Sequence, residues 1–153
     1  MISRLLSESV LELSLRSRWR QALFLLALAL PALPFLYKTA RLALAAQLGE
    51  LSNPAVLRRA TTLDPANPKL HHRLGLIYAY SVEEINLAES LRYLRRATEL
   101  QPHGARCWLD LAAVCESSGD AACAHAALAH ALELRPRSPH FRWVAANVYL
   151  RLN

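Results

Sequence analysis

Glycine is scarce in this sequence, 4 in 153 residues, and that scarcity removes several functions at once. No glycine-rich phosphate loop, dinucleotide fingerprint or nucleophile elbow can be assembled from it, and no H-E-x-x-H pair occurs. Cysteine is equally thin. Cys107, Cys115 and Cys123 form no C-x-x-C pair, so zinc-ribbon, thioredoxin-type and haem-attachment motifs are absent. Lysine is confined to Lys38 and Lys69, leaving arginine to carry the formal charge of +6. Apart from an N-terminal cluster, those arginines are dispersed instead of gathered in one stripe, which argues against a nucleic-acid partner. β-Branched residues are sparse too.

What remains is rich in leucine and alanine, which lose little side-chain entropy in a helix, and an all-α chain follows. The segment 22–37 reads ALFLLALALPALPFLY, without a charged residue. With Trp19 and Gln21 it reaches about 28 Å as a helix, close to the hydrocarbon thickness of a bilayer. Trp19 and Tyr37 bracket the run, Phe24 and Phe35 lie within it, and these four are the expected anchor aromatics. Arg16, Arg18 and Arg20 precede it, and Lys38 and Arg41 follow. A single transmembrane helix over 19–38 is therefore expected, in preference to a cleaved leader or a buried core helix. Pro31 and Pro34 are tolerated in such a helix at the cost of a kink. Arg4, Arg16, Arg18 and Arg20 outweigh the cations beyond the span, so the positive-inside rule leaves the N-terminus cytoplasmic and exports the rest. Residues 1–18 then form a cytoplasmic segment, whose Ile2, Leu5, Leu6, Val10 and Leu13 suit an amphipathic surface helix or a frayed tail.

Self-similarity organises residues 39–153. Ala60-Thr-Thr-Leu-Asp-Pro65, Ala97-Thr-Glu-Leu-Gln-Pro102 and Ala131-Leu-Glu-Leu-Arg-Pro136 align, with prolines 37 and 34 residues apart. Each proline ends a helix, because the ring removes a donor and disfavours helical geometry in the preceding residue. Asn67-Pro68 and Ser138-Pro139 then pair a capping side chain with proline at the first helical position. Asn53 caps an earlier helix. Ser81-Val-Glu-Glu84 and Asn86-Leu-Ala-Glu89 compete as capping boxes around a three-residue insertion, and Gly119-Asp120 supplies a later turn.

His71, Leu74, Gly75 and Tyr78, followed by Ser90, Leu94, Ala97 and Pro102, trace one unit. Trp108, Leu111, Ala112 and Cys115, followed by Ala124, Leu128, Ala131 and Pro136, trace the next. This pattern resembles the tetratricopeptide repeat family, whose signature is W-x2-L-G-x2-Y, then A-x3-F and a closing P. The resemblance covers roughly residues 54–149 and implies an α-solenoid of antiparallel helix pairs. Its units would fall near 39–65, 66–102 and 103–136, with a terminal helix at 139–152 that is either a cap or a docking surface. His71 departs from the aromatic of the signature and is expected at an exposed first turn. Cys115 departs from the Tyr, and Leu94 and Leu128 from the Phe.

The resemblance implies a protein-binding groove lined by the first helices of the units. Here it would draw on Lys69, His72, Leu76 and Tyr80, then Arg106, Leu109, Asp110 and Ala113, then Trp143 and Asn147. The lysine–asparagine clamp that some members use for a C-terminal carboxylate is missing, because His72 and Leu76 occupy those places. Cys115 and Cys123 flank the Gly119 turn on antiparallel helices, either as a disulfide or as two small buried hydrophobes. Cys123, His125 and His130 do not share one helical face, and His71 and His72 diverge by about 100°, so no metal is expected. The expected function is non-catalytic: a membrane-anchored scaffold or accessory subunit of a bacterial inner-membrane complex, with its repeats in the periplasm. Its partners would be other proteins, with no cofactor and no small-molecule substrate. The competing reading is an obligate structural subunit, packed permanently on other membrane proteins without a free groove.

Overall fold

The computed structural model describes residues 18–51, 53–82 and 85–152. The N-terminal segment expected at 1–18, as a surface helix or a frayed tail, lies outside them up to residue 17, together with Arg4 and Arg16, as do Glu83 and Glu84 of one capping box. Among the described residues every regular element is an α-helix: α1 (Arg18–Gly49), α2 (Pro54–Leu63), α3 (Pro68–Tyr80), α4 (Leu87–Leu100), α5 (Ala105–Ser117), α6 (Ala121–Leu134) and α7 (Pro139–Leu152). The chain divides into two compact units, Met1–Ala40 and Arg41–Asn153.

Within the first unit the described structure is the leading part of α1. The helix passes through Pro31 and Pro34 and does not stop at Lys38. Trp19, Phe24, Phe35 and Tyr37 are all exposed. By length and composition Phe24–Gly49 can cross a membrane, with a mean hydropathy of 1.3 and no buried residue in its most apolar 18-residue window.

The second unit is built from helix pairs whose boundaries follow the capping chemistry. Asn53 Oδ1 accepts from the amides of Ala55 (2.9 Å) and Val56 (3.3 Å), starting α2. Asn67 Oδ1 accepts from Lys69 at 3.1 Å and starts α3. Asn86, not Ser81, starts α4, accepting from the Glu89 amide at 3.1 Å, while Ser81 closes α3. Asp120 starts α6 by accepting from the Cys123 amide at 3.0 Å. Each such cap is worth about 1 kcal/mol.

Helix α3 pairs with α4, α5 pairs with α6, and α7 packs on both α5 and α6. The pairing works because small residues sit at the crossings. A Cβ added to Gly75 would meet Leu94 Cγ at 2.7 Å, so only glycine fits there with the helices this close. Ser90, directly opposite, is buried and donates its hydroxyl to the Gly75 carbonyl at 2.7 Å. Leu94, Ala112, Cys115, Ala124, Leu128 and Ala131 form one apolar core that includes Ala145 and Val148 of α7. A second core gathers Ala45, Leu57, Ala60, Leu70, Leu74, Tyr78 and Tyr93. Arg73 ties α3 to the end of α1, donating to the carbonyls of Gly49 and Glu50.

His71 corrects the sequence expectation. It is buried, not exposed at a first turn. Its Nε2 meets the Pro65 carbonyl oxygen at 3.0 Å, and its ring lies 6.0 Å from that of Tyr93. Packing between α3 and α4 holds the imidazole where the family carries a larger aromatic, and one ring nitrogen finds a backbone acceptor.

Candidate protein-interaction face

The first helices of successive units, α3, α5 and α7, stand side by side: α5 contacts both α3 and α7. Two polar bridges cross the seams between them. His72 Nε2 on α3 lies 2.8 Å from Asp110 Oδ2 on α5, and the same oxygen accepts from Arg106 Nε at 2.9 Å. Glu116 Oε1 on α5 accepts from Arg151 Nε on α7, also at 2.9 Å. Asp110 and Glu116 are largely shielded from solvent while Arg106 and Arg151 remain more than half exposed. Such partly exposed pairs contribute up to about 1 kcal/mol each, and their larger effect is to fix which donors point outward.

Around these bridges stand aromatic groups. Tyr80, at the end of α3, is 60% exposed, and Trp143 on α7 is 67% exposed. Burial of part of the Tyr80 ring, helped by the nearby carboxylates of Asp110 and Glu116, raises its hydroxyl above the ordinary 10.0. Leu76, Ala113 and Asn147 are half-buried between the polar residues, and Lys69 is exposed at the start of α3. Asn147 donates back to the Trp143 carbonyl at 2.9 Å.

Of the residues expected in the groove, Leu109 does not line it. It is 2% exposed and belongs to the core beneath α7, because Val144 and Val148 pack into the same cluster. Two further residues of this face were not singled out by pattern alone. Glu116 and Arg151 are neighbours only because α7 docks on α5, a contact 35 residues apart in sequence.

Two of the cysteines and several of the histidines have structural partners. Cys115 and Cys123 form a disulfide across the α5–α6 turn, with Cα atoms 5.7 Å apart. Cys107 is a buried free thiol whose pKa is pushed up by burial and then by Asp110. His130 packs edge-on against Trp108 at 4.4 Å between ring centres, and His125 against Tyr149 at 5.1 Å. Among the described residues no three side chains of metal-ligating type come together. The loop between α3 and α4 exposes Val82 and Ile85 and is closed by the Asn86 amide donating to the Tyr78 carbonyl at 2.8 Å.

No protein-family profile matches the sequence, and no curated protein matches it significantly. Solved structures do share its fold. MamA is similar with a TM-score of 0.56 and 20% identity, over 63% of this chain and 55% of that one. A mutant of the Thermobaculum terrenum O-GlcNAc transferase has a TM-score of 0.55 and 29% identity, over 75% of this chain and 22% of that one. The Yersinia enterocolitica type III secretion translocator chaperone SycD, in an alternative dimer, has a TM-score of 0.59 and 17% identity, over 72% of this chain and 89% of that one. This chain therefore spans about half of MamA and under a quarter of the transferase. All three carry tetratricopeptide-like helical repeats, and the fold of this chain is of that kind.

Proposed function

We propose that this chain is a non-catalytic, membrane-anchored interaction module that serves a bacterial envelope complex as scaffold or accessory subunit. The observation that carries the reading is the α3–α5–α7 face. Its carboxylates are engaged by His72, Arg106 and Arg151, and the exposed aromatics Tyr80 and Trp143 stand beside them. Rigid aromatic anchors among fixed donors suit recognition of a helix or an extended peptide. The repeat fold supports a protein partner, and one protein of the same fold is described as a chaperone.

The anchor half of the proposal rests on α1. Its exposed apolar stretch spans a bilayer by length, and burying those side chains in lipid removes an apolar surface that water would penalise. On this reading the helix makes a single pass, the N-terminus stays in the cytoplasm and the repeats lie in the periplasm, where the Cys115–Cys123 bond is chemically favoured.

The test has two arms. Alkaline carbonate should leave the full chain in the membrane pellet, and a phosphatase reporter fused after Asn153 should be active. Crosslinking in native membranes should join the repeat unit to another protein, with yield falling about tenfold in Tyr80→Ser. Release by carbonate sinks the anchor, and unchanged yield sinks the face.

A second reading, an obligate structural subunit, is favoured by one observation. Leu42 and Leu44, in the last turns of α1, and Leu51, just beyond it, stay exposed in the repeat unit. Aggregation of the detergent-purified chain without a partner would select it over the module.

A further inference from the structure

Helix α7 can be read in register with α5 and α3, because the spacing of the closing prolines aligns them. Trp143 then corresponds to Leu109 of α5 and His72 of α3, Ala146 to Ala112 and Gly75, and Leu150 to Glu116 of α5 and Ala79 of α3. In the inner helices Leu109, Ala112, Gly75 and Ala79 are buried by neighbouring helices of the array, and His72 and Glu116 are half-buried. In α7 the same three positions are open. Trp143 is 67% and Leu150 78% exposed, and Ala146 between them is exposed as well. Their spacing of i, i+3, i+7 places them on one helical stripe. The small residue is kept at the helix-crossing position although no described helix crosses there.

Charge narrows what can cover this stripe. After Glu133 the sequence contains Arg135, Arg137, Arg142 and Arg151 and no acidic residue. Arg151 is paired with Glu116, but Arg135 and Arg137 are exposed and Arg142 is bonded to the neutral carbonyl of Pro136. A second copy of α7 laid on the stripe would bring arginines against arginines. An acidic helix would neutralise them.

We propose that the Trp143–Ala146–Leu150 stripe of α7 is a docking site for an acidic amphipathic helix of a partner protein, which packs on α7 as the array's own helices pack on α5. The inference rests on the interaction-module reading, shares Trp143 with the α3–α5–α7 face and extends along α7 to Ala146 and Leu150, away from Tyr80. The small Ala146 lets the incoming backbone approach, Trp143 and Leu150 supply apolar area on either side, and Arg135 and Arg137, just ahead of α7, fix its direction.

The experiment places a photo-activated crosslinking residue at position 146 of the full chain in native membranes, with a second at position 80 and a control at Ala126. The expected result is an adduct at 146 that maps to an acidic, helix-forming segment of another protein and is lost in Arg135→Glu/Arg137→Glu. A synthetic peptide of that segment should bind the detergent-purified chain about tenfold more weakly when Ala146→Glu is introduced. Ala146 is exposed, so this variant should keep the helical circular dichroism of the parent. Adducts at 146 confined to lipid, to this chain or to a second copy, or no adduct at all, overturn the proposal. Adducts at 80 without any at 146 overturn it while leaving the interaction-module reading in place.

Discussion

The indole nitrogen of Trp108 donates to the carbonyl oxygen of Pro102 at 2.8 Å, six residues back along the chain. His71 makes the equivalent contact with Pro65 at 3.0 Å, and Arg142 with Pro136 at 2.9 Å. Three chemically different side chains thus perform one task. Each reaches from the first helix of a unit to the carbonyl of the proline that closes the unit before it. The proline ends a helix and turns its own carbonyl away from the ladder, and the bond returns a donor to it.

Removing one of these bonds without removing the ring should have a modest and definable effect. Trp108→Phe keeps most of the apolar area and deletes the N–H, so we expect a loss of about 1 kcal/mol in unfolding free energy. Trp108→Ala also loses the contact with His130 and should cost about 3 kcal/mol or more. Urea denaturation followed by circular dichroism checks both. Equal effects for Phe and Ala would show that the hydrogen bond, not the packing, carries the residue.

Gly75 is the second point of leverage. Alanine normally gains about 1 kcal/mol over glycine inside a helix. Here its Cβ would strike Leu94 Cγ, a fully buried side chain, so overpacking of about 1–3 kcal/mol should outweigh that gain. Gly75→Ala is therefore expected to lower the melting temperature, and Gly75→Ala with Leu94→Val to recover part of it. A Gly75→Ala protein more stable than the parent would contradict this packing.

The Cys115–Cys123 bond closes a separation of 8 residues, for which chain entropy gives about 2.5 kcal/mol in the oxidised protein. A thiol reductant should lower the melting temperature of the parent and leave Cys123→Ser unchanged. Mass mapping without reductant should show the two residues joined and Cys107 free.

Tyr80 gives a pH dependence. Its folded-state hydroxyl is held above 10.0, first by burial and then by Asp110 and Glu116. Above that value the unfolded chain releases this proton more readily than the folded one, so the Tyr80 contribution to stability is intact below pH 10.0 and falls as pH rises past it. Asp110→Asn removes one of the raising charges and should move the titration of this tyrosine downward in an ultraviolet difference titration. An unchanged titration would mean that Asp110 does not act on Tyr80.

Much of the architecture was legible in the sequence because repeats advertise themselves twice. The closing prolines set the period, and an asparagine or aspartate lies just ahead of α2, α3 and α6. Asn53, Asn67 and Asp120 cap as their local chemistry predicts, since a cap depends only on the next few residues. The choice between Ser81 and Asn86 was not legible. Both have the local chemistry, and the contact of the Asn86 amide with the Tyr78 carbonyl selects the second.

By itself, then, the sequence determined an all-helical chain, the apolar stretch beginning α1 and a repeat register in which small residues mark the crossings. These follow from propensity, composition and periodicity, which act over one or two helical turns. Tertiary structure alone decided that His71 is buried, that Leu109 belongs to the core and not to the outer face, and that Glu116 meets Arg151. It also decided that Ala146 stands open on α7, with Trp143 and Leu150 beside it, while its counterparts Gly75 and Ala112 are buried. Each of these depends on which neighbour a helix receives. Whether such a position is buried or exposed is set by the helices packed around it, which no signal within one or two turns specifies.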